Sequence, residues 1–222
     1  MQAGVREMNP RIPVIFYANH AYWWDGFWSQ LCTEEFFHQN LHIIIEYQQL
    51  KQHRFFSRLG AFSLDRSRPR SVLDTLCYAA ELLTAESDRQ NALWIFPQGK
   101  IEAVDKRPLL FFKGTASIVS RVLEQTPSIY LVSVVSRIEY LDEQKPELCL
   151  SFWQPRLLSL AEYSDSDDLT AYMQKMTERH LVELGGKIRN RTLDEARTVV
   201  RGKPSINKRV EAVMRFFGLE KV

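Results

Sequence analysis

The sequence predicts an α/β fold: a mostly parallel central sheet flanked by helices, with a helical C-terminal extension. Three observations predict it. Short apolar runs alternate with amphipathic helical patterns, the order that builds a parallel sheet with helices on its faces. One of those runs, Leu41-His42-Ile43-Ile44-Ile45-Glu46, is almost unbroken, as a strand covered on both faces should be. And 222 residues, 45% of them hydrophobic and 25% charged, suit one domain with a sizeable core.

Each element has its own warrant. Residues 13–18 are apolar and precede a turn, which predicts a strand. Residues 26–39 carry a helical pattern. Residues 41–46 form the second strand, and residues 47–59 a second helix that Gly60 ends. Residues 61–64 make a short strand. Residues 70–86 are the clearest helix: Val72, Leu73, Leu76, Ala79, Ala80 and Leu83 keep its period, and Pro69 suits its start. Residues 92–96 are a strand stopped by Pro97 and Gly99. A loop follows, then a helix over 114–125. Residues 129–138 and 148–153 read as strands, the latter a candidate antiparallel one. The Ser- and Asp-rich run 162–168 marks a boundary. Beyond it the pattern predicts helices over 169–189, 193–200 and 207–217. This divides the chain into an α/β domain over residues 1–160 and a helical extension of the same domain over 161–222.

Bulk properties exclude some classes. A net charge of +2 gives no footprint for nucleic acid. The charge is uneven, however: residues 187–221 hold ten Lys and Arg against four Asp and Glu. Cys32, Cys77 and Cys149 are odd in number and widely spaced, without CxxC or zinc spacing, so they are expected reduced and buried. No apolar run approaches the roughly 18 residues of a membrane span. The first dozen residues lack a signal-peptide pattern. No Gly-x-Ser-x-Gly elbow, phosphate-binding Walker loop, dinucleotide fingerprint or metalloprotease helix occurs.

Chemistry concentrates in Ala18-Asn19-His20-Ala21-Tyr22-Trp23-Trp24-Asp25-Gly26, at a strand-to-helix junction. An imidazole takes a proton from a hydroxyl, and a carboxylate on its other nitrogen stabilises the imidazolium. Five residues along one helix would set the two side chains about 140° apart. The pair therefore needs His20 on the turn and Asp25 at the start of the helix. Without that role, Asp25 would still serve as an N-cap. Asn-His-x-x-x-x-Asp resembles the first signature of the glycerolipid acyltransferases, the family of 1-acylglycerol-3-phosphate acyltransferases.

Three further blocks carry the resemblance, which spans about Val14 to Pro155. Leu59-Gly60-Ala61-Phe62-Ser63-Leu64-Asp65-Arg66 is similar to the second motif, whose Arg contacts the acceptor's phosphate. Arg66 can clamp a phosphate with paired donors, or simply pair with Asp65 or Asp74. Ile95-Phe96-Pro97-Gln98-Gly99-Lys100 resembles the third motif, but Gln98 stands where Glu is usual and Lys100 where a small hydroxyl is usual. Phe112-Lys113-Gly114 resembles the stretch opening the next family helix. The fourth block, residues 129–135, has Ser133 at a Pro position and reads otherwise as core.

The resemblance implies an O-acyltransferase. His20 is the general base, Asp25 its orienting acid, and the acyl donor an acyl-CoA or acyl carrier protein. Arg66, Lys100, Gln98 and Gly99 bind an anionic, lysophospholipid-like acceptor, with the Gly99 backbone a candidate oxyanion donor. No metal and no bound cofactor are implied. Gln98 opens a different acceptor, a glycolipid or other lipid alcohol. The same residues would also suit a thioester hydrolase, in which water replaces the alcohol, or a membrane adaptor without catalysis. A lipid acceptor implies a peripheral protein on the cytoplasmic face of a membrane; the oligomeric state stays open. Two features suit such docking: the aromatics Tyr22, Trp23, Trp24, Phe27 and Trp28 with Phe36, Phe37, Phe55 and Phe56, and a basic amphipathic segment at 207–217. Either could equally be core.

Overall fold

The computed structural model describes residues 3–5, 7–141, 144–200 and 202. Its centre is a seven-stranded sheet of β1 (Val14–Ala18), β2 (Asn40–Glu46), β3 (Ala61–Leu64), β4 (Asn91–Ile95), β5 (Ser128–Glu139), β6 (Glu147–Phe152) and β7 (Arg156–Ser159). The order is β3-β2-β4-β1-β5-β6, with β7 also on β5. The first five strands pair parallel throughout. Both β6 and β7 run antiparallel to β5, sharing its length. The fold is therefore the predicted mostly parallel α/β sheet with helices on its faces and a C-terminal helix.

Alternation along the strands sorts the core into two layers. Ile15 and Tyr17 of β1 and Leu93 and Ile95 of β4 face α3 (Pro69–Thr84), α4 (Gly114–Leu123) and α5 (Ser166–Arg189). Val14, Phe16, Ala92 and Trp94 face the other way, toward Cys32 of α1 (Asp25–Cys32) and Phe152. There Phe16 stacks on Trp94 at 4.7 Å and on Phe37 at 5.3 Å. The arrangement leaves the carboxyl ends of β1, β3 and β4 on one edge, followed by His20, Arg66 and Gln98 respectively.

Several elements differ from the sequence expectation. The helix expected over 26–39 is α1 to Cys32, then a π-turn over Thr33–Phe37 closed by His38 at φ 51°. Thr33 Oγ1 donates to the Ser29 carbonyl at 2.8 Å, a back-bond that disturbs the helical ladder there. The helix expected over 47–59 breaks at His53 into α2 (Tyr47–Gln52) and a 3-10 helix, Arg54–Leu59. Gly60 ends it at φ 78°, and any Cβ there would meet the Leu41 carbonyl at 2.0 Å. Residues 193–200 are not helical: apart from half-buried Leu193 they are exposed, and so short a helix needs a packing face. β7 was not anticipated; four residues after Pro155 carry too little pattern. Leu73 sits at the edge of the α3 stripe and stays 54% exposed.

The cysteines are free, but Cys32 alone is buried; Cys77 lies on the solvent side of α3 and Cys149 is half-buried. The segment expected to form an amphipathic helix at 207–217 lies outside the described residues. Among the described residues no helix is long and apolar enough to cross a membrane. α5 opens on Asp165, whose carboxylate accepts the Asp167 and Asp168 amides at 2.7 and 2.8 Å. It packs on β5 and α4, burying Met173, Leu181 and Leu184. His180 of α5 is fully buried, bridges Ser133 Oγ (3.0 Å) and Ser151 Oγ (2.8 Å), and stacks on Trp153. Ser133, where a Pro was the family expectation, thus pins α5 to the sheet.

Candidate active site

The turn between β1 and α1 brings His20 and Asp25 together. His20 Nδ1 lies 2.8 Å from Asp25 Oδ2. The same oxygen accepts the backbone N–H groups of Ala21 and Tyr22, each at 2.9 Å. Asp25 Oδ1 accepts from Ser136 Oγ at 3.3 Å. Asp25 is therefore the first residue of its helix with its carboxylate turned back, rather than an N-cap; that position falls to Trp24, which makes no side-chain cap. With every neighbour donating to the carboxylate, Nδ1 carries the imidazole hydrogen and Nε2 keeps its lone pair. Asp25 is buried, while the His20 side chain keeps 22% of its surface exposed. Among the described residues nothing hydrogen-bonds to Nε2. The imidazole lies against the Phe96 ring at 4.7 Å.

Two neighbouring elements hold the turn. Asn19, buried, pairs with the backbone of Ser136 in both directions: its Nδ2 donates to the carbonyl at 3.2 Å and its Oδ1 accepts the N–H at 2.8 Å. The Tyr22 hydroxyl accepts the Ile138 N–H at 2.8 Å, and partial burial raises that phenol's pKa. So β5 fastens the turn on one side.

The loop after β4 fastens the other. Gln98, buried, accepts the His20 backbone N–H on Oε1 at 2.8 Å. Its Nε2 donates to Glu102 Oε2 at 3.1 Å. The Glu102 N–H closes the loop onto the His20 carbonyl at 2.9 Å. Both polar groups of the His20 backbone are thus held by one loop. Lys106, Gln98 and Lys100 pull the Glu102 carboxyl down to about 2 despite its shielded position. The Lys100 ammonium sits 3.2 Å from Glu102 Oε1.

Arg66 enters from the end of β3. Its Nη2 donates to the Gly99 carbonyl at 2.5 Å, and its guanidinium lies over the Phe112 ring, 5.1 Å from the centroid. Neither acid considered from sequence pairs with it: Asp65 binds Arg68 at 3.5 Å and Ser67, and no carboxylate pairs with Arg66 among the described residues. Gly99 sits at φ 67°, and a Cβ there would come within 2.2 Å of Arg66 Nη2. The Gly99 N–H donates to the Phe96 carbonyl at 2.9 Å, inside its own turn.

One short turn, Gln98-Gly99, therefore touches both His20 and Arg66. Gln98 points to the His20 backbone, Gly99 presents its carbonyl to Arg66, and Lys100 stands beside Glu102. Sequence reasoning missed Glu102, Ser136 and the Tyr22 hydroxyl as supports. Glu102 lies four residues after Gln98, which was the available signal; Ser136 is 111 residues from Asp25 and left none. Among the described residues no cluster of three or more His, Cys, Asp or Glu could hold a metal ion.

A family model described as Acyltransferase matches residues 3–137. No curated protein and no solved structure matches the chain.

Proposed function

The chain belongs to the Acyltransferase family, and from that premise we propose that it moves a fatty acyl group from a thioester to a lipid alcohol. The observation that carries the proposal is the His20–Asp25 contact at 2.8 Å with Nε2 left open. His20 Nε2 takes the proton of the acceptor hydroxyl. The oxygen attacks the thioester carbonyl, an ester C–O bond forms and the C–S bond breaks. The imidazolium, steadied by Asp25, returns its proton to the departing thiolate. The acyl donor is an acyl-CoA or an acyl carrier protein.

The acceptor is an anionic lysolipid of the lysophospholipid kind. Arg66 uses one N–H on Gly99 and keeps the rest of its fork for a phosphate. Lys100 adds positive charge at the rim. Gln98 does not distinguish phosphate from non-phosphate acceptors, because its amide serves His20 and Glu102. It is a positioning residue. With its N–H engaged on Phe96, Gly99 acts through its carbonyl and its small size rather than as an oxyanion donor.

The test is thiol release from acyl-CoA with and without lysophosphatidic acid, with the product identified by mass spectrometry. Acceptor-dependent release with a new ester supports transfer. Release at the same rate without acceptor would make the enzyme a thioester hydrolase.

A further inference from the structure

We propose that the aromatic cluster beside the active site is a docking surface for an anionic lipid bilayer. Six rings form one connected group. Trp23 meets Trp24 at 4.9 Å, Phe27 at 5.7 Å and His53 at 6.1 Å. Phe27 meets Phe55 at 6.1 Å and Phe56 at 5.3 Å, and Phe55 stacks on Phe56 at 4.1 Å. The group joins the start of α1 to the 3-10 helix at Arg54–Leu59.

This is not core. Trp23 is 49% exposed, Trp24 52% and Phe55 46%. Leaving two indoles and a phenyl ring half in water costs free energy unless something covers them. Their inner neighbours Phe27 and Phe56 are partly covered, so the cluster is rooted in the protein and presents a fixed apolar face. The break at His53 is what delivers it: the chain leaves helical geometry there and turns Phe55 and Phe56 toward Phe27.

The charges on the segment that carries Phe55 and Phe56 name the occupant. Residues 47–60 hold Lys51, Arg54 and Arg58 and no acid. All three are exposed, and none pairs with a carboxylate among the described residues. Exposed indoles on an apolar patch, with exposed cations on the helical segments that carry Phe55 and Phe56 or lead into them, fit the headgroup region of an anionic membrane. Trp23 and Trp24 lie between His20 and Asp25 in the chain, so docking would hold the His20–Asp25 turn at the lipid surface. That benefit rests on the acyl-transfer reading; the docking itself does not.

Flotation with vesicles of phosphatidylcholine and phosphatidylglycerol tests it, using the full chain. Wild type should float with mixed vesicles and far less with phosphatidylcholine alone. Brominated lipid should quench its tryptophan fluorescence. Trp24→Ser with Phe55→Ser should weaken vesicle binding by at least about tenfold, while Trp24→Phe with Phe55→Tyr should retain it. Each of Lys51→Gln, Arg54→Gln and Arg58→Gln should cost about fivefold on anionic vesicles. Undiminished flotation of the Ser variant would overturn the proposal, as would failure of wild type to float. So would a Ser variant that floats normally but no longer takes acyl groups from an acyl carrier protein, which would assign the patch to that acidic protein. Transfer to a water-soluble acceptor without vesicles reads the acyl-transfer chemistry separately: its failure alongside normal flotation removes the catalytic reading and leaves the docking intact.

Discussion

The side chain of Gln98 holds the backbone of His20: Oε1 accepts the His20 N–H at 2.8 Å. Through its other end, at 3.1 Å, it reaches Glu102, whose own N–H holds the His20 carbonyl. Gln98→Glu would keep the acceptor for His20 but set a second carboxylate against Glu102. One of the two would then have to take up a proton. The melting temperature should drop, and the deficit should widen as pH rises from 5 to 8, because the shared proton is lost. Adding Glu102→Gln should restore most of the loss, since the donor and acceptor are then exchanged. A Gln98→Glu enzyme with unchanged melting at pH 8, or no recovery in the double variant, would break the proposed link.

His20→Ala should lower turnover about 100-fold or more, the scale of general-base loss, with the melting temperature nearly unchanged. Asp25→Asn should be comparably severe, on the order of 1000-fold, because an amide can donate to Nδ1 and favour the wrong tautomer. Steady-state rates with circular dichroism as a fold check decide both. A fully active Asp25→Asn would reduce the carboxylate to a tie for the Ala21 and Tyr22 amides.

Arg66→Ala should raise the KM for a phosphate-bearing acceptor by about 10- to 100-fold while leaving the donor KM alone. Gly99→Ala should give the same split, because its Cβ would displace the guanidinium. Equal effects on donor and acceptor would mean that Arg66 only braces the turn.

The buried His180 should make the protein sensitive to mild acid. Burial, with a small push from Lys187, lowers its pKa from 6.5 to about 3. The unfolded chain takes up the proton below 6.5 and the folded chain does not. Stability is therefore intact above that value and falls with pH, by about 1.4 kcal/mol per unit, until the folded form is protonated near 3. Urea unfolding at pH 7, 6 and 5 should show a slope in wild type that His180→Gln flattens. Parallel slopes would place the acid sensitivity elsewhere.

Much of the frame was legible because it depends on local pattern. The apolar run of β2, the period of α3 and the stop at Pro97 each announce themselves within a few residues. The His20–Asp25 pairing was legible too, since both ends lie on one turn. The supports were not. Asn19 to Ser136 and Ser133 to His180 join residues that only the completed sheet makes neighbours. The π-turn after Cys32 goes with the Thr33 back-bond, and the break at His53 is one residue long; a periodicity argument averages both away. For Arg66 the residue types nearby suggest a phosphate or a salt bridge, whereas its partner in the fold is the Gly99 carbonyl, a backbone group that no side-chain pattern marks.

The three thiols also make the protein selectively addressable. Burial pushes the Cys32 thiol to about 12 and raises that of Cys149, so neither is a ready nucleophile at neutral pH. Cys77 stands exposed on α3, which packs on the face of the sheet opposite Phe16 and Trp94. A single maleimide dye will therefore attach there without any cysteine being removed. It would mark the far side of the molecule from the tryptophan pair, and so turn the orientation of the enzyme into an optical measurement.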